Sequence, residues 1–199
     1  MPLSPPYFDS LFAASDDPWG FRTRWYEQRK RALTLACLPA SFYDSIFEPG
    51  CANGELAADL APRCHRLLAC DASAPAVRLA RQRLRDVPHA RVETMTMPAD
   101  WPAEQFDLIV ISELGYYLPP ADLATLARAC LGSLTDTGTL LACHWRPLID
   151  GCAYGGDAVH EILAAETGLP RIVHHQEDDF VLDVWTRQGQ SVGRAEGLT

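Results

Sequence analysis

A chain of 199 residues with 48% hydrophobic and 22% charged content is long enough for one globular domain with a proper core. Its formal net charge of −9 sets up a field that repels polyanions and so disfavours a nucleic-acid substrate. Seven scattered cysteines without a C-x-x-C pair, no membrane-length apolar stretch and no visible signal leader point to a cytoplasmic protein with reduced thiols.

In chain order, residues 7–18 read as an irregular lead-in with Asp16, Asp17 and Pro18, and a helical pattern over 19–37 stops before Pro39. Arg22, Arg24, Arg29, Lys30 and Arg31 read as one face of that helix rather than a nucleic-acid arm. A first strand is predicted at 43–48, a helix at 54–63 and a second strand at 66–70. Ser73 suits the N-cap of a helix toward residue 85, with Pro75 in its first turn. A third strand follows at 91–95. Residues 106–112, a continuous apolar run rich in β-branched side chains, predict a central strand buried on both faces. A helix from Pro119 and Pro120 to about 134 leads through Thr137-Gly138 to a fifth strand at 139–144. A glycine-bearing loop at 147–157, a helix at 158–167 and a hairpin of strands 171–175 and 180–185 complete the pattern, before a polar, frayed tail. His174 and His175, adjacent in a strand, face opposite ways and read as part of that hairpin rather than as metal ligands. Alternating strands and helices give an α/β fold with a parallel sheet.

The chemistry concentrates between the first and second strands. Glu48-x-Gly50-x-x-x-Gly54 forms a tight turn after the first strand, and Asp71 ends the second strand seventeen residues after Gly54. Ligands of open α/β sheets bind beyond the carboxyl ends of such strands. A carboxylate there can accept two ribose hydroxyls. The turn lacks the middle glycine of a dinucleotide fingerprint, and no Lys or Arg is present to meet phosphate. An acidic residue comes first instead, which suits a phosphate-free cationic nucleoside, S-adenosyl-L-methionine, with S-adenosyl-L-homocysteine as product. A dinucleotide-dependent oxidoreductase and a nucleotide-free α/β domain with Asp71 as an N-cap remain as alternatives.

Four stretches resemble the nodulation-type, NodS-like N-methyltransferases of the class I S-adenosylmethionine enzymes. They are Asp17-Pro18-Trp19-Gly20-Phe21 with Trp25-Tyr26-Glu27 and Lys30; residues 47–56; residues 106–113 with Tyr116-Tyr117-Leu118; and His144-Trp145-Arg146. The resemblance implies a Rossmann-like seven-stranded sheet with a C-terminal antiparallel hairpin and an N-terminal helical lid. It divides one domain, 1–199, into a helical cap (1–38), a cofactor-binding core (43–144) and an acceptor-side loop, helix and hairpin (145–187). It implies methyl transfer to a small-molecule amine, such as the free amino group of a glucosamine or chito-oligosaccharide. A small-molecule O-methyltransferase and a non-catalytic cofactor-binding module are the alternatives.

On that basis Gly50 and Gly54 are expected beside the cofactor's methionine end, and Cys51 and Ser112 are expected to bind the cofactor as well. Glu48 is expected to orient the turn or to hold the ammonium through water. Asp71 is expected on the ribose, with Ala72 flanking the adenine and Met97 facing it or packing the core. Asp100 either accepts the adenine amino group or packs a loop. Trp19 and Tyr26 either cover the sulfonium, where an aromatic face attracts a cation, or pack the N-terminal helix. For removal of the acceptor's proton, Glu113 at the fourth strand's end is the first candidate and Tyr117 the second. His144 is the third, or else a hydrogen-bonded strand-end histidine. Arg146 and the loop 150–157, with Trp145 and Tyr154 able to stack on sugar rings, are expected to border the acceptor pocket.

Overall fold

A computed structural model describes residues 5–198. Met1 to Ser4, on which the expectation of no leader partly rests, and Thr199 of the polar tail lie outside the described residues. Seven strands form one sheet: β1 (Tyr43–Pro49), β2 (Cys64–Asp71), β3 (Ala90–Thr94), β4 (Phe106–Ser112), β5 (Leu134–Trp145), β6 (Arg171–Gln176) and β7 (Phe180–Thr186). Their order is β3-β2-β1-β4-β5-β7-β6. The first five run parallel, and β7 pairs antiparallel with both β5 and β6. This is the α/β class I methyltransferase sheet with its closing antiparallel hairpin. The strand order reverses between β1 and β4, which opens a crevice at their carboxyl ends.

The helices are α1 (Pro5–Ala14), α2 (Trp25–Ala36), α3 (Glu55–Leu60), α4 (Ala74–Arg83), α5 (Pro120–Ser133), α6 (Gly156–Thr167) and a one-turn α7 (Val192–Ala195). Side chains alternate across the central strands, so each face has its own core. Ile46, Leu108 and Val110 pack on one side with Leu56, Leu60 and Val77. Phe47, Ile109 and Ile111 pack on the other with Leu123, Leu126, Val159 and Trp185. Among the described residues no helix is long and apolar enough to cross a membrane.

Three expectations need correction. The irregular lead-in is a helix: Pro5 and Pro6 occupy the first turn of α1, where a missing N–H is harmless. Phe12 of α1 then docks with Ala76 and Leu79 of α4. Next, α2 begins at Trp25 rather than at 19. The Asp17 carboxylate accepts the N–H groups of Phe21 (2.8 Å) and Arg22 (3.0 Å) and folds that segment into a turn. The basic residues consequently diverge instead of sharing one face: Arg22 pairs with Glu55, Arg29 with Glu177 and Arg31 with Asp59, while Lys30 is buried. Finally, β5 starts at Leu134. A register shift lets Phe106 pair with Leu134 and Leu108 with Thr139, so the expected Thr137-Gly138 turn is an irregularity inside the strand.

Ser73 caps α4 by accepting the Ala76 N–H. Gly54, at φ +82°, sets α3 against α4, because a Cβ there would lie 2.9 Å from the Ala80 Cα. An L-residue at Gly54 is strained in φ and meets backbone, so Gly54→Ala should cost about 2–4 kcal/mol. Urea unfolding with an unchanged m-value would read this as a lower midpoint. Stability within about 0.5 kcal/mol of the natural chain would mean that α3 and α4 are free to separate.

Candidate active site

A cavity of about 650 Å³ opens at the strand-order reversal. The turn after β1, the ends of β2, β4 and β5, and the N-terminal segment line it. Two neighbouring regions can be distinguished by the elements that build them.

The first is formed by Glu48, Gly50, Cys51, Ala52, Asn53, Asp71, Ala72 and Met97, all of which line the cavity. The Asp71 oxygens accept the N–H groups of Ala52 and Ser73, each at 2.9 Å. These bonds tie the turn to the end of β2 and leave further lone pairs for a ligand. Burial raises the Asp71 pKa, Asp9 nearby adds to this, and the backbone donors oppose it. Glu48 is more extreme. Burial, followed by Asp71 and Asp59, holds its carboxyl well above the ordinary range, and its Oε2 has no hydrogen-bond partner. Asn53 donates to Asp16 O (3.1 Å) and Asp17 Oδ1 (3.2 Å), but its buried Oδ1 accepts nothing. Asn53 Oδ1, and Glu48 Oε2 once a cation draws its carboxyl into the ionised form, fit the ammonium group of S-adenosylmethionine, and Asp71 fits its ribose.

The second region centres on Glu113, which has φ +54°, unusual for a residue with a side chain. Its Oε1 lies 2.6 Å from Lys30 Nζ. Its Oε2 accepts the Tyr116 hydroxyl and, at 2.9 Å, the Trp145 N–H. Lys30 also reaches Glu27 Oε2 at 3.1 Å and sits 5.0 Å from the centre of the Tyr26 ring. Burial works against the Lys30 charge, yet Glu113 and Glu27 together carry its pKa above the ordinary range. Burial raises the Glu27 carboxyl against Lys30's pull. The Tyr117 hydroxyl is also raised, by burial and then by Glu113. Its ring meets Phe8 of α1 edge-on with centroids 5.0 Å apart. Trp19, Tyr26 and Ser112 line the cavity, and the buried Tyr26 hydroxyl lacks a partner.

Several expected residues stand elsewhere. Gly54 does not line the cavity; it serves the contact between α3 and α4. His144 is wholly buried beneath the wall and also does not line it. Asp100 accepts the Thr96 N–H (2.8 Å) within its own loop. Arg146 turns to Asp157 (2.8 and 3.0 Å), and Tyr154 donates to Leu118 O (2.5 Å), so of that group only Trp145 reaches the cavity, joined by Ile149. His174 and His175 bond separately to Asp183 and Glu177, each at 2.8 Å. Conversely, Glu27, Lys30, Asn53 and Tyr116 line the cavity and were not singled out as site residues by sequence reasoning. Lys30 and Tyr116 lie inside the motifs that carried the resemblance. Asn53 lies inside the glycine turn.

Residues 11–165 match the family described as Nodulation protein S (NodS). This chain belongs to the NodS family. It is 33% identical to Nodulation protein S of Rhizobium tropici over 122 residues, 61% of this chain and 50% of that one. It is 38% identical to the Bradyrhizobium diazoefficiens protein over 109 residues, 53% of this chain and 51% of that one. The chain thus spans about half the length of these relatives. Among solved structures, N-methyltransferase NodS from Bradyrhizobium japonicum WM9 in complex with S-adenosyl-L-homocysteine matches with TM-score 0.81 and 27% identity, over 91% of this chain and 96% of that one. A methyltransferase described as putative from Pseudomonas syringae matches with TM-score 0.75 and 59% identity, over 82% of this chain and all of that one.

Glu48 supplies a test. A carboxyl whose folded pKa lies above its unfolded value leaves stability intact below the unfolded value, near 4.5, and removes it as pH rises through the folded value. Glu48→Gln should therefore raise the melting temperature of the ligand-free protein at alkaline pH and not below pH 4.5. It should also weaken S-adenosylhomocysteine binding about tenfold, the loss of one charge-assisted hydrogen bond. A variant destabilised at alkaline pH with full affinity would remove Glu48 from the ligand site.

Proposed function

We propose that this chain is an S-adenosyl-L-methionine-dependent N-methyltransferase acting on a small-molecule amine. An amino sugar or a chito-oligosaccharide with a free amino group is the first candidate acceptor. The observation that carries this reading is the Glu113 carboxylate, held at the cavity wall with three bonds already made. A carboxylate offers about four lone-pair directions. The remaining one suits an acceptor N–H.

The residues then divide the work. Asp71, Glu48 and Asn53 hold the nucleoside and amino-acid ends of the cofactor. When bound, S-adenosylmethionine supplies an electrophilic methyl group on a sulfonium. Glu113 receives the amine as an ammonium and takes or relays its proton, which frees the nitrogen lone pair for attack. Tyr116, the Trp145 N–H and the Lys30 ammonium fix the Glu113 carboxylate in place. Tyr26 and Trp19 supply aromatic faces that attract a cation. Tyr117 and Trp145 close the acceptor side against water. Holding donor and acceptor aligned supplies much of the acceleration in such a transfer. The seven unpaired thiols suit a reducing cytoplasm as the site of this chemistry.

The test is formation of S-adenosylhomocysteine by the full chain with a panel of amines, including glucosamine and chito-oligosaccharides carrying a free amine, beside their hydroxyl counterparts. Turnover is expected with amines. Glu113→Gln should lower turnover by about a hundredfold or more while leaving S-adenosylhomocysteine affinity close to that of the natural chain. Turnover confined to hydroxyl acceptors would replace the reading with O-methylation. An active Glu113→Gln chain at every pH would remove Glu113 as proton acceptor.

A further inference from the structure

Four elements meet beneath the acceptor wall in one hydrogen-bonded line. Asp183 on β7 places Oδ2 2.6 Å from His160 Nδ1 on α6. His160 Nε2 lies 3.0 Å from His144 Nδ1 at the end of β5. His144 Nε2 accepts the backbone N–H of Gly115 at 3.0 Å. All three side chains are buried, and none lines the cavity.

That last bond fixes every proton in the line. A ring nitrogen that accepts an N–H carries no proton of its own. His144 must then be protonated at Nδ1, and this proton is donated to His160 Nε2. His160 in turn is protonated at Nδ1 and donates to Asp183. One arrangement satisfies all the groups, with both rings neutral. Burial, and then the neighbouring His160, push the His144 pKa well below the ordinary histidine range, in keeping with a neutral ring. Asp183 is anchored on its other side by His174 Nδ1 (2.8 Å) and Arg171 (3.2 Å). Burial works against its charge, but the bonds from His160 and His174 carry its pKa below the ordinary value.

The segment this line holds is a strained one. Glu113, two residues before Gly115, is held at φ +54°, and such a conformation persists only where its surroundings over-determine it. Gly115 leaves no room for a side chain: a Cβ would lie 2.3 Å from Val159 and 3.2 Å from His144 Nε2. Helix α6 thus presses Val159 directly against the turn and sets His160 behind His144.

We propose that Asp183, His160 and His144 form a positioning relay that fixes the Gly115 amide, and through it the Glu113, Tyr116 and Tyr117 side chains of the acceptor wall. None of the three touches a reacting atom; each acts through the next. The role in turnover rests on the N-methyltransferase reading above, whereas the relay itself is read without any acceptor.

Long-range nitrogen–proton spectra of the uniformly labelled full chain would test it. Neutral rings with the proton on Nδ1 are expected for both His144 and His160, and an Nε2-protonated ring at either position in the natural chain would overturn the proposal. Asp183→Asn is the matching perturbation, since its amide can turn a donor toward His160 and send a donor–donor conflict along the line to Gly115. Exchange of the Gly115 amide proton should accelerate about tenfold, as expected for loss of one buried hydrogen bond. With an accepted amine, kcat should fall by about as much while the Kd for S-adenosylhomocysteine holds. Unchanged Gly115 exchange, or equal losses of kcat and cofactor affinity, would sink the relay. If Asp183→Asn does not fold, the spectra of the natural chain decide. An absence of turnover in the natural chain, with the ring protons as expected, would count against the methyltransferase reading and leave the relay standing.

Discussion

The contact between Lys30 and Glu113, 2.6 Å long and largely withdrawn from water, holds one wall of the cavity together. It joins α2, which precedes the sheet, to the residue just after the central strand β4. Burying two charges is costly, and their attraction repays it only with good geometry and with the remaining lone pairs satisfied. Here Glu113 has Tyr116 and the Trp145 N–H, and Lys30 has Glu27 and the Tyr26 ring. Such a cluster contributes little to net stability. Its effect is on geometry: it ties α2 to the ends of β4 and β5 and sets a carboxylate at the cavity wall.

The sheet explains why the wall is there. Reversal of strand order between β1 and β4 leaves a crevice, and the residues just past the ends of β1, β2, β4 and β5 are the ones that reach it. The turn after β1 and Asp71 after β2 belong to one side, and Glu113 and Trp145, after or at the ends of β4 and β5, belong to the other. The two sides use opposite electrostatic designs. Glu48 is left without a counter-charge and its carboxyl is driven upward. Glu113 is surrounded by a cation and two donors. One side is thus prepared to be completed by a positive ligand, while the other is already neutralised and presents only a residual acceptor direction.

Much of this was legible in the sequence because the signals were local. The apolar run 106–112 is β4 to the residue, and Ser73 caps α4 as its chemistry demands. The acidic residue and glycine of the turn and Asp71 sit at strand ends, where hydrophobic periodicity stops. What was missed depended on tertiary geometry. Phe12 shows its purpose only against α4, so α1 read as a lead-in. Lys30 reads as one more cation of a basic helix face, because nothing nearby in sequence announces Glu113, eighty-three residues away. His144 stands near a strand end, but the pleat points it under the sheet toward α6, and its partners come from sixteen residues later, His160, and twenty-nine residues earlier, Gly115. The early start of β5 turns on a register irregularity with β4, a property of the pair rather than of either segment.

Three buried side-chain polar atoms remain without partners among the described residues, the Tyr26 hydroxyl, Glu48 Oε2 and Asn53 Oδ1, and all three belong to residues of the same cavity. Each costs about 1–3 kcal/mol if left dry. A fold selected for stability alone would replace Glu48 with an apolar residue and pair Asn53 internally, as it has done for the buried Ser133 hydroxyl, which accepts from Trp101. Instead, among the described residues, the unpartnered buried side-chain atoms are gathered at the crevice. Asn53 Oδ1 is an acceptor, and so is Glu48 Oε2 once ionised, so a positively charged group that brings donors relieves both. A dinucleotide pyrophosphate would bring more acceptors to the same place and deepen the penalty. A cationic amino-acid moiety removes it. The distribution of unsatisfied atoms therefore selects between cofactors, independently of the glycine spacing that first suggested one.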